Sequence, residues 1–318
     1  MRGTQAEVLV LDLDGTLRDL VQTDGKIPQA TLEAVCRAHH ARPRLHVVVN
    51  TGQTLEHVMG LVQQVFGRRV VYSGRFAVVY EHGAGVYLPG PLGVRKIPLY
   101  ALLDRRLLRV FDRVREGIFH ACRTALGWGC REFHLQGNEF NIALKPNAPE
   151  GSREADQVCR TAAALLLRVL AECAAAEDGQ NASALEAALA LEARREAKLS
   201  FLPPPNRAAP SVPDWLAVQF FYYPADLVGL SARQLTKVTG LEAVLHAWGL
   251  DQPRAVVLGD GEDDLEVMRA VAGWPGSLVA CPEGAREAVR AYVTAASGVV
   301  YPPGRAELAL EAAGLAGA

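Results

Sequence analysis

The chain has little net charge, no long apolar run and no closely paired cysteines, and each absence removes a class of function. Its 318 residues carry 33 lysines and arginines against 35 aspartates and glutamates, a formal charge of −2. With a pI near 6.5, no basic stripe is present to follow nucleic-acid phosphates. The pairs Arg68-Arg69, Arg105-Arg106 and Arg194-Arg195 are scattered as solvated helix faces would scatter them. No apolar stretch reaches the roughly 18 residues of a membrane span. The first apolar run, residues 8–11, is too short for a secretory signal and ends in carboxylates, so a cytoplasmic location is expected. The six cysteines show no CxxC spacing and read as reduced, buried thiols. The eight histidines show no ligand spacing either, which argues against zinc.

What is present is core-forming material: half the residues are hydrophobic, and the length accommodates two domains. Short apolar strands at 8–11, 45–49, 70–71, 76–80 and 86–88 are separated by helical patterns. Pro28 opens the first helix, and Leu55, Val58, Met59, Val62 and Phe66 mark the second. That alternation predicts a parallel α/β sheet. The pattern changes near Pro89. A helix around 102–114, a β-hairpin at 133–144 turning on Gln136-Gly137-Asn138, two alanine-rich helices (153–176 and 183–199), a proline loop (202–213) and a strand at 216–223 follow. From Ser231 the first pattern returns, with a helix to Trp248, strands at 255–258 and 277–280, and a last helix from about 283. The expected architecture is an α/β core (1–90 and 228–318) interrupted by an inserted α+β domain (91–227).

Chemistry concentrates where strands end. Val8-Leu9-Val10-Leu11 runs into Asp12-Leu13-Asp14-Gly15-Thr16. In continued extension Asp12 and Asp14 would share a face, and Gly15 permits a sharp turn. Carboxylates converging at the carboxyl end of a parallel strand are costly without a cation or proton between them. They suit a hard divalent metal and a phosphate, with one carboxylate free to act as nucleophile. An ordinary Asp-Gly turn is the plainer alternative. Gly259-Asp260-Gly261-Glu262-Asp263-Asp264 ends a second apolar strand in the same way. Thr51 and Gly52 lie between a strand and a helix, where free N–H groups favour an anion, although Thr51 could equally cap that helix.

These segments together resemble the haloacid dehalogenase superfamily of phosphohydrolases, in the branch with a type-2B cap. DLDGT, Thr51 within VVVNTGQ, Lys237 within KVTGLEAVL and GDGEDDLEVM fall in the family's order, with YEHGAGVY resembling its pre-cap hairpin. The resemblance implies a Rossmann-like core with an inserted cap, and a Mg²⁺-dependent phosphatase acting on a small phosphorylated metabolite, such as a sugar phosphate. It implies Asp12 as nucleophile and Asp14 as general acid and base. Thr51 and Lys237 bind the phosphoryl group, with Gly15, Gly52 and Asp263 lining its site. Asp12, the backbone carbonyl of Asp14, Asp260 and Asp264 would hold the metal. Three positions depart from the family pattern: Gln53 where arginine is frequent, Val238 where glycine follows the lysine, and Asp263 where asparagine is common. Polar residues of the hairpin (Gln136, Asn138, Glu139, Asn141) are candidates to face substrate hydroxyls. A phosphomannomutase-like mutase and a non-catalytic phosphosugar-binding protein remain alternatives. A monomer or homodimer is expected.

Overall fold

The computed structural model describes residues 7–18, 25–127, 133–149, 151–195 and 211–315. The chain divides into two compact units, residues 1–99 with 235–318, and residues 100–234. Most of the expected proline loop, the end of the second alanine-rich helix and Cys130 lie outside the described residues. The five cysteines within them are free thiols.

The first unit is built on one eight-stranded sheet in the order β12-β11-β10-β1-β2-β3-β4-β5. The strands are β1 (Glu7–Leu11), β2 (Leu45–Asn50), β3 (Phe76–Tyr80), β4 (Gly85–Gly90), β5 (Gly93–Pro98), β10 (Arg254–Leu258), β11 (Leu278–Pro282) and β12 (Val299–Tyr301). From β12 to β3 all neighbours are parallel, whereas β4 runs antiparallel to both β3 and β5. The central strand explains why its sequence is apolar without interruption. Leu9 and Leu11 enter a core shared with α1 (Gln29–Ala41), α2 (Leu55–Val71) and α9 (Glu307–Ala312). Val8 and Val10 enter the opposite core, with α6 (Lys237–Trp248), α7 (Glu262–Val271) and α8 (Glu287–Ala295). A strand covered by helices on both faces has no side left for polar residues. Each fully buried valine or leucine contributes about 1.5–3 kcal/mol of transfer free energy.

The second unit carries a four-stranded antiparallel sheet in the order β6-β7-β9-β8: β6 (Phe133–Leu135), β7 (Ile142–Pro146), β9 (Leu227–Ala232) and β8 (Val218–Tyr223). The expected hairpin is β6 paired with β7. Helix α4 (Arg153–Asp178) packs on β7 and β9 and between α3 (Arg105–Leu126) and α5 (Ala182–Arg195). Its alanines Ala155, Ala162, Ala163, Ala171 and Ala174 are buried, because small side chains let neighbouring elements approach. The fold is therefore an α/β parallel-sheet core with an inserted α+β unit.

Four local expectations need correction. Val70 and Val71 end α2 rather than forming a strand; they follow a kink at Gly67 (φ 70°) and remain buried. Residues 93–98, placed in the insert by sequence, add β5 to the main sheet through a full ladder with β4. That strand is mostly exposed and carries Arg95 and Lys96, as sheet edges do, so no apolar alternation betrays it. Residues 228–232, placed in the returning core with a helical pattern from Ser231, instead belong to β9 in the smaller sheet. The core resumes only at Leu235. The final helix expected from 283 begins at Glu287, because Glu283 and Ala285 donate their N–H groups to Tyr301 and Pro282 in a turn.

Candidate active site

Three strand ends meet at the centre of the sheet. β1 lies between β2 and β10 with all three in parallel register, so Asp12, Asn50-Thr51 and Gly259-Asp260 emerge side by side at the carboxyl edge. Chain direction diverges there to either side of β1, the point where open α/β sheets bind ligands.

Asp12 continues the ladder, its N–H donating to the Leu258 carbonyl at 3.0 Å, and the residue is 6% exposed. The chain then turns at Gly15, which has φ +79°. A Cβ built there would lie 2.3 Å from Oδ2 of Asp260, so only glycine allows the two motifs to approach this closely. Because extension stops at Leu11, Asp14 does not stay beside Asp12. Its carboxylate accepts from Nε of Arg18 at 2.6 Å and from Nε2 of Gln53 at 2.8 Å. Gln53 thus occupies Asp14, and Arg18 reaches onward to Nε2 of His57 at 3.0 Å.

Lys237 enters from α6. Thr236 caps that helix in a reciprocal bond with Thr239 and places Lys237 in the first turn, 3% exposed. A cation at a helix N-terminus is disfavoured by the macrodipole, and a buried one still more by desolvation. Carboxylates offset both costs: Nζ lies 2.8 Å from Oδ1 of Asp12, 2.6 Å from Oδ1 of Asp264 and 3.0 Å from Oδ2 of Asp263. Burial lowers the affinity of Lys237 for its proton, but Asp12, Asp263 and Asp264 outweigh it and hold the ammonium well above its ordinary range. Asp264 also accepts the backbone N–H groups of Asp260 and Gly261 at 3.1 and 3.0 Å, closing the first turn of α7.

One ammonium does not balance this many acids. Burial pushes Asp12 up to about 7, opposed by Lys237 and reinforced by Asp260. Burial and Asp264 push Asp260 up to about 6; burial and Asp12 push Asp264 up to about 8. Asp263 goes the other way. Despite burial, Lys237 and His82 hold its carboxyl well below the usual range. The hydroxyl of Thr16 makes the imbalance concrete, lying 3.2 Å from Oδ2 of Asp12 and 3.0 Å from Oδ1 of Asp260 with one proton to give. The second contact requires a protonated carboxyl or a cation. Among the described residues, Asp12, Asp260 and Asp264 each offer an oxygen, and these oxygens lie within 4.8 Å of one another. An all-oxygen, anionic donor set fits a hard divalent cation rather than zinc. Asp14 contributes no carboxylate to that group.

Neither a protein-family model nor a curated protein matches the chain. Solved structures do match. A phosphatase of the haloalkanoate superfamily from Bacteroides thetaiotaomicron aligns over 99% of this chain and 98% of its own, with a TM-score of 0.53 and 16% identity. A subclass IIB sugar phosphatase of the haloacid dehalogenase superfamily gives 0.53 and 15%, over 98% and 99%. The trehalose-6-phosphate phosphatase of Aspergillus fumigatus gives 0.51 and 14%, over 98% and 94%.

The fold is that of the haloacid dehalogenase phosphatases.

Against that fold, Asp12, Asp260, Asp263, Asp264 and Lys237 form one contact network. Thr51, 1% exposed, neighbours it by sheet order, and Asn50 ties the loop to α6 by donating to the Lys237 carbonyl at 3.0 Å. Thr51 does not cap α2; Thr54 does, accepting from the His57 N–H at 3.3 Å. The hairpin residues Gln136, Asn138, Glu139 and Asn141 belong to the second unit. Sequence reasoning missed Thr16, Arg18 and His82. Thr16 sits inside the first motif and could have been included. His82 follows β3 at the same carboxyl edge as the other motifs, a signal that becomes readable once the strand order is known.

Proposed function

We propose that this protein is a Mg²⁺-dependent phosphoric monoester hydrolase that acts on a small phosphorylated metabolite through an aspartyl-phosphate. The observation that carries this reading is the buried Asp12 carboxylate, paired with Lys237 at 2.8 Å and grouped with Asp260 and Asp264. A nucleophile meant for a phosphate dianion needs this surplus of cation-attracting oxygen around it, because carboxylate and phosphate repel each other.

Asp12, Asp260 and Asp264, with the Asp14 carbonyl, would hold Mg²⁺; the ion when bound neutralises charge on the phosphoryl oxygens. Asp12 attacks phosphorus as the ester P–O bond breaks. Asp14 gives its proton to the leaving oxygen, then takes one from the water that cleaves the aspartyl-phosphate. Lys237 balances charge on the nucleophile and the phosphoryl group. Thr51, through its hydroxyl, and the backbone N–H of Gly52 fix the remaining phosphoryl oxygens, the Thr51 N–H being taken by the Val79 carbonyl at 3.0 Å. Gly15 leaves space for the approach of Asp260, and Asp263 lines the site beside Lys237. A sugar phosphate is the proposed substrate class, since phosphatases of this fold include those of trehalose 6-phosphate and sucrose phosphate.

The test is phosphate release from a panel of sugar phosphates, nucleotides and phosphoglycerate derivatives, with and without chelator, alongside a check for isomerised hexose phosphate. Mg²⁺-dependent release is expected. Asp12→Asn should lower it at least about 10³-fold while circular dichroism stays unchanged. Isomer formation without net release would support the mutase reading, and retained turnover in Asp12→Asn would remove the mechanism.

A further inference from the structure

At the end of β3, two consecutive non-glycine residues, Glu81 (φ 49°) and His82 (φ 54°), hold left-handed backbone conformations. L side chains avoid that region, and where it persists the surroundings must impose it. Here they do, on two sides. The Glu81 N–H donates to the Gln53 carbonyl at 3.0 Å and the His82 N–H to the Thr51 carbonyl at 3.2 Å, joining the turn to the Thr51–Gly52 loop. On the other side Gly83 (φ +95°) sits so near α6 that a Cβ would lie 2.0 Å from the Thr236 carbonyl oxygen.

The imidazole of His82 is thereby wedged between two elements of the site. Its Nε2 and Cε1 cover Gly52, where a built Cβ would lie 2.3 and 2.4 Å from them. Its Nδ1 lies 3.1 Å from Oδ2 of Asp263, the same oxygen that lies 3.0 Å from Nζ of Lys237. An ionised carboxylate only accepts, so Nδ1 carries the proton and donates it. A carboxylate at this position, 33% exposed, would repel an incoming phosphate if it swung towards it.

We propose that His82 is a positioning residue: its Nδ1–H holds the Asp263 carboxylate on Lys237 and away from the phosphate, in register with the Thr51–Gly52 loop beneath its ring. The inference rests on the phosphatase reading and explains how this chain tolerates an aspartate beside its phosphate site. His82 acts through Asp263. Loss of the imidazole therefore weakens phosphate binding while leaving the chemistry of Asp12 and Asp14 in place.

The experiment is a double-mutant cycle of His82→Asn and Asp263→Asn, with p-nitrophenyl phosphate as substrate and inorganic phosphate as inhibitor. Asparagine tolerates the left-handed backbone, so the first change tests the ring rather than the turn. His82→Asn should raise KM and the phosphate inhibition constant about tenfold, the scale of one hydrogen bond to a charged group, with kcat changed much less. Adding Asp263→Asn should restore most of that loss. Independent, multiplying losses, or a fall in kcat at constant KM, overturn the proposal while an active wild type keeps the phosphatase reading. A wild type that releases phosphate from no ester removes both. Should His82→Asn melt early, ¹⁵N imidazole spectra decide: Nδ1 must be protonated in the wild type and must shift in Asp263→Asn, and an unmoved Nδ1 signal overturns the proposal.

Discussion

Without metal, the acidic group should make the protein less stable as pH rises through neutrality, the reverse of ordinary acid denaturation. Asp12, Asp260 and Asp264 have folded values of about 7, 6 and 8 against an ordinary 3.8. Between pH 4 and 8 the folded state therefore binds more protons than the unfolded one, and stability falls as those protons leave. Asp263 is shifted downwards, so its contribution changes only below pH 4. Lys237 is shifted upwards from 10.5, so its contribution is lost only in alkali. Neither alters the slope in this window. For one carboxylate titrating near 7, raising the pH from 5 to 8 removes about 3 kcal/mol, at 1.36 kcal/mol per unit. For a unit of this size that is roughly 6–12 °C in Tm. Mg²⁺ should reverse the loss, adding about 2.7 kcal/mol at a hundredfold excess over its Kd, and more at pH 8 than at pH 5, where protons compete for the same oxygens. Scanning calorimetry at both pH values, in chelator and in Mg²⁺, reads all four conditions. Asp12→Asn should flatten the chelator slope. A metal-free Tm that rises from pH 5 to 8, or a Mg²⁺ effect indifferent to pH, would refute the reasoning.

Two further outcomes follow from the geometry. Gly15→Ala forces a Cβ into Asp260 at a positive φ, and should cost several kcal/mol in stability and abolish the Mg²⁺ response of Tm; a wild-type response to Mg²⁺ would show that the two motifs need not touch. Asp14→Asn should slow both formation and hydrolysis of the phosphoenzyme by about 10²–10⁴-fold, read by rapid-quench trapping. An unchanged breakdown rate would remove its role as base.

The sequence by itself determined the sheet and the sets of groups at its edge. Uninterrupted runs such as Val8 to Leu11 and Val256 to Leu258 suit strands buried on both faces, and acids placed directly after such strands emerge at the carboxyl edge. Periodicity fails where burial does not enforce it. β5 is exposed and charged, β9 is buried on both faces and precedes a helix start, and Val70-Val71 satisfy a helix as well as a strand. Tertiary structure alone decided which groups touch. The turn at Gly15 sends the Asp14 carboxylate to Arg18 and Gln53 instead of to Asp12. The order of β3 next to β2 brings His82 over Gly52. The capped start of α6 delivers a buried lysine to three carboxylates separated from it by between 26 and 225 positions of chain. Local pattern encodes which face of an element is buried. Contacts between groups so far apart in the chain depend on strand order and loop geometry, which no local pattern contains.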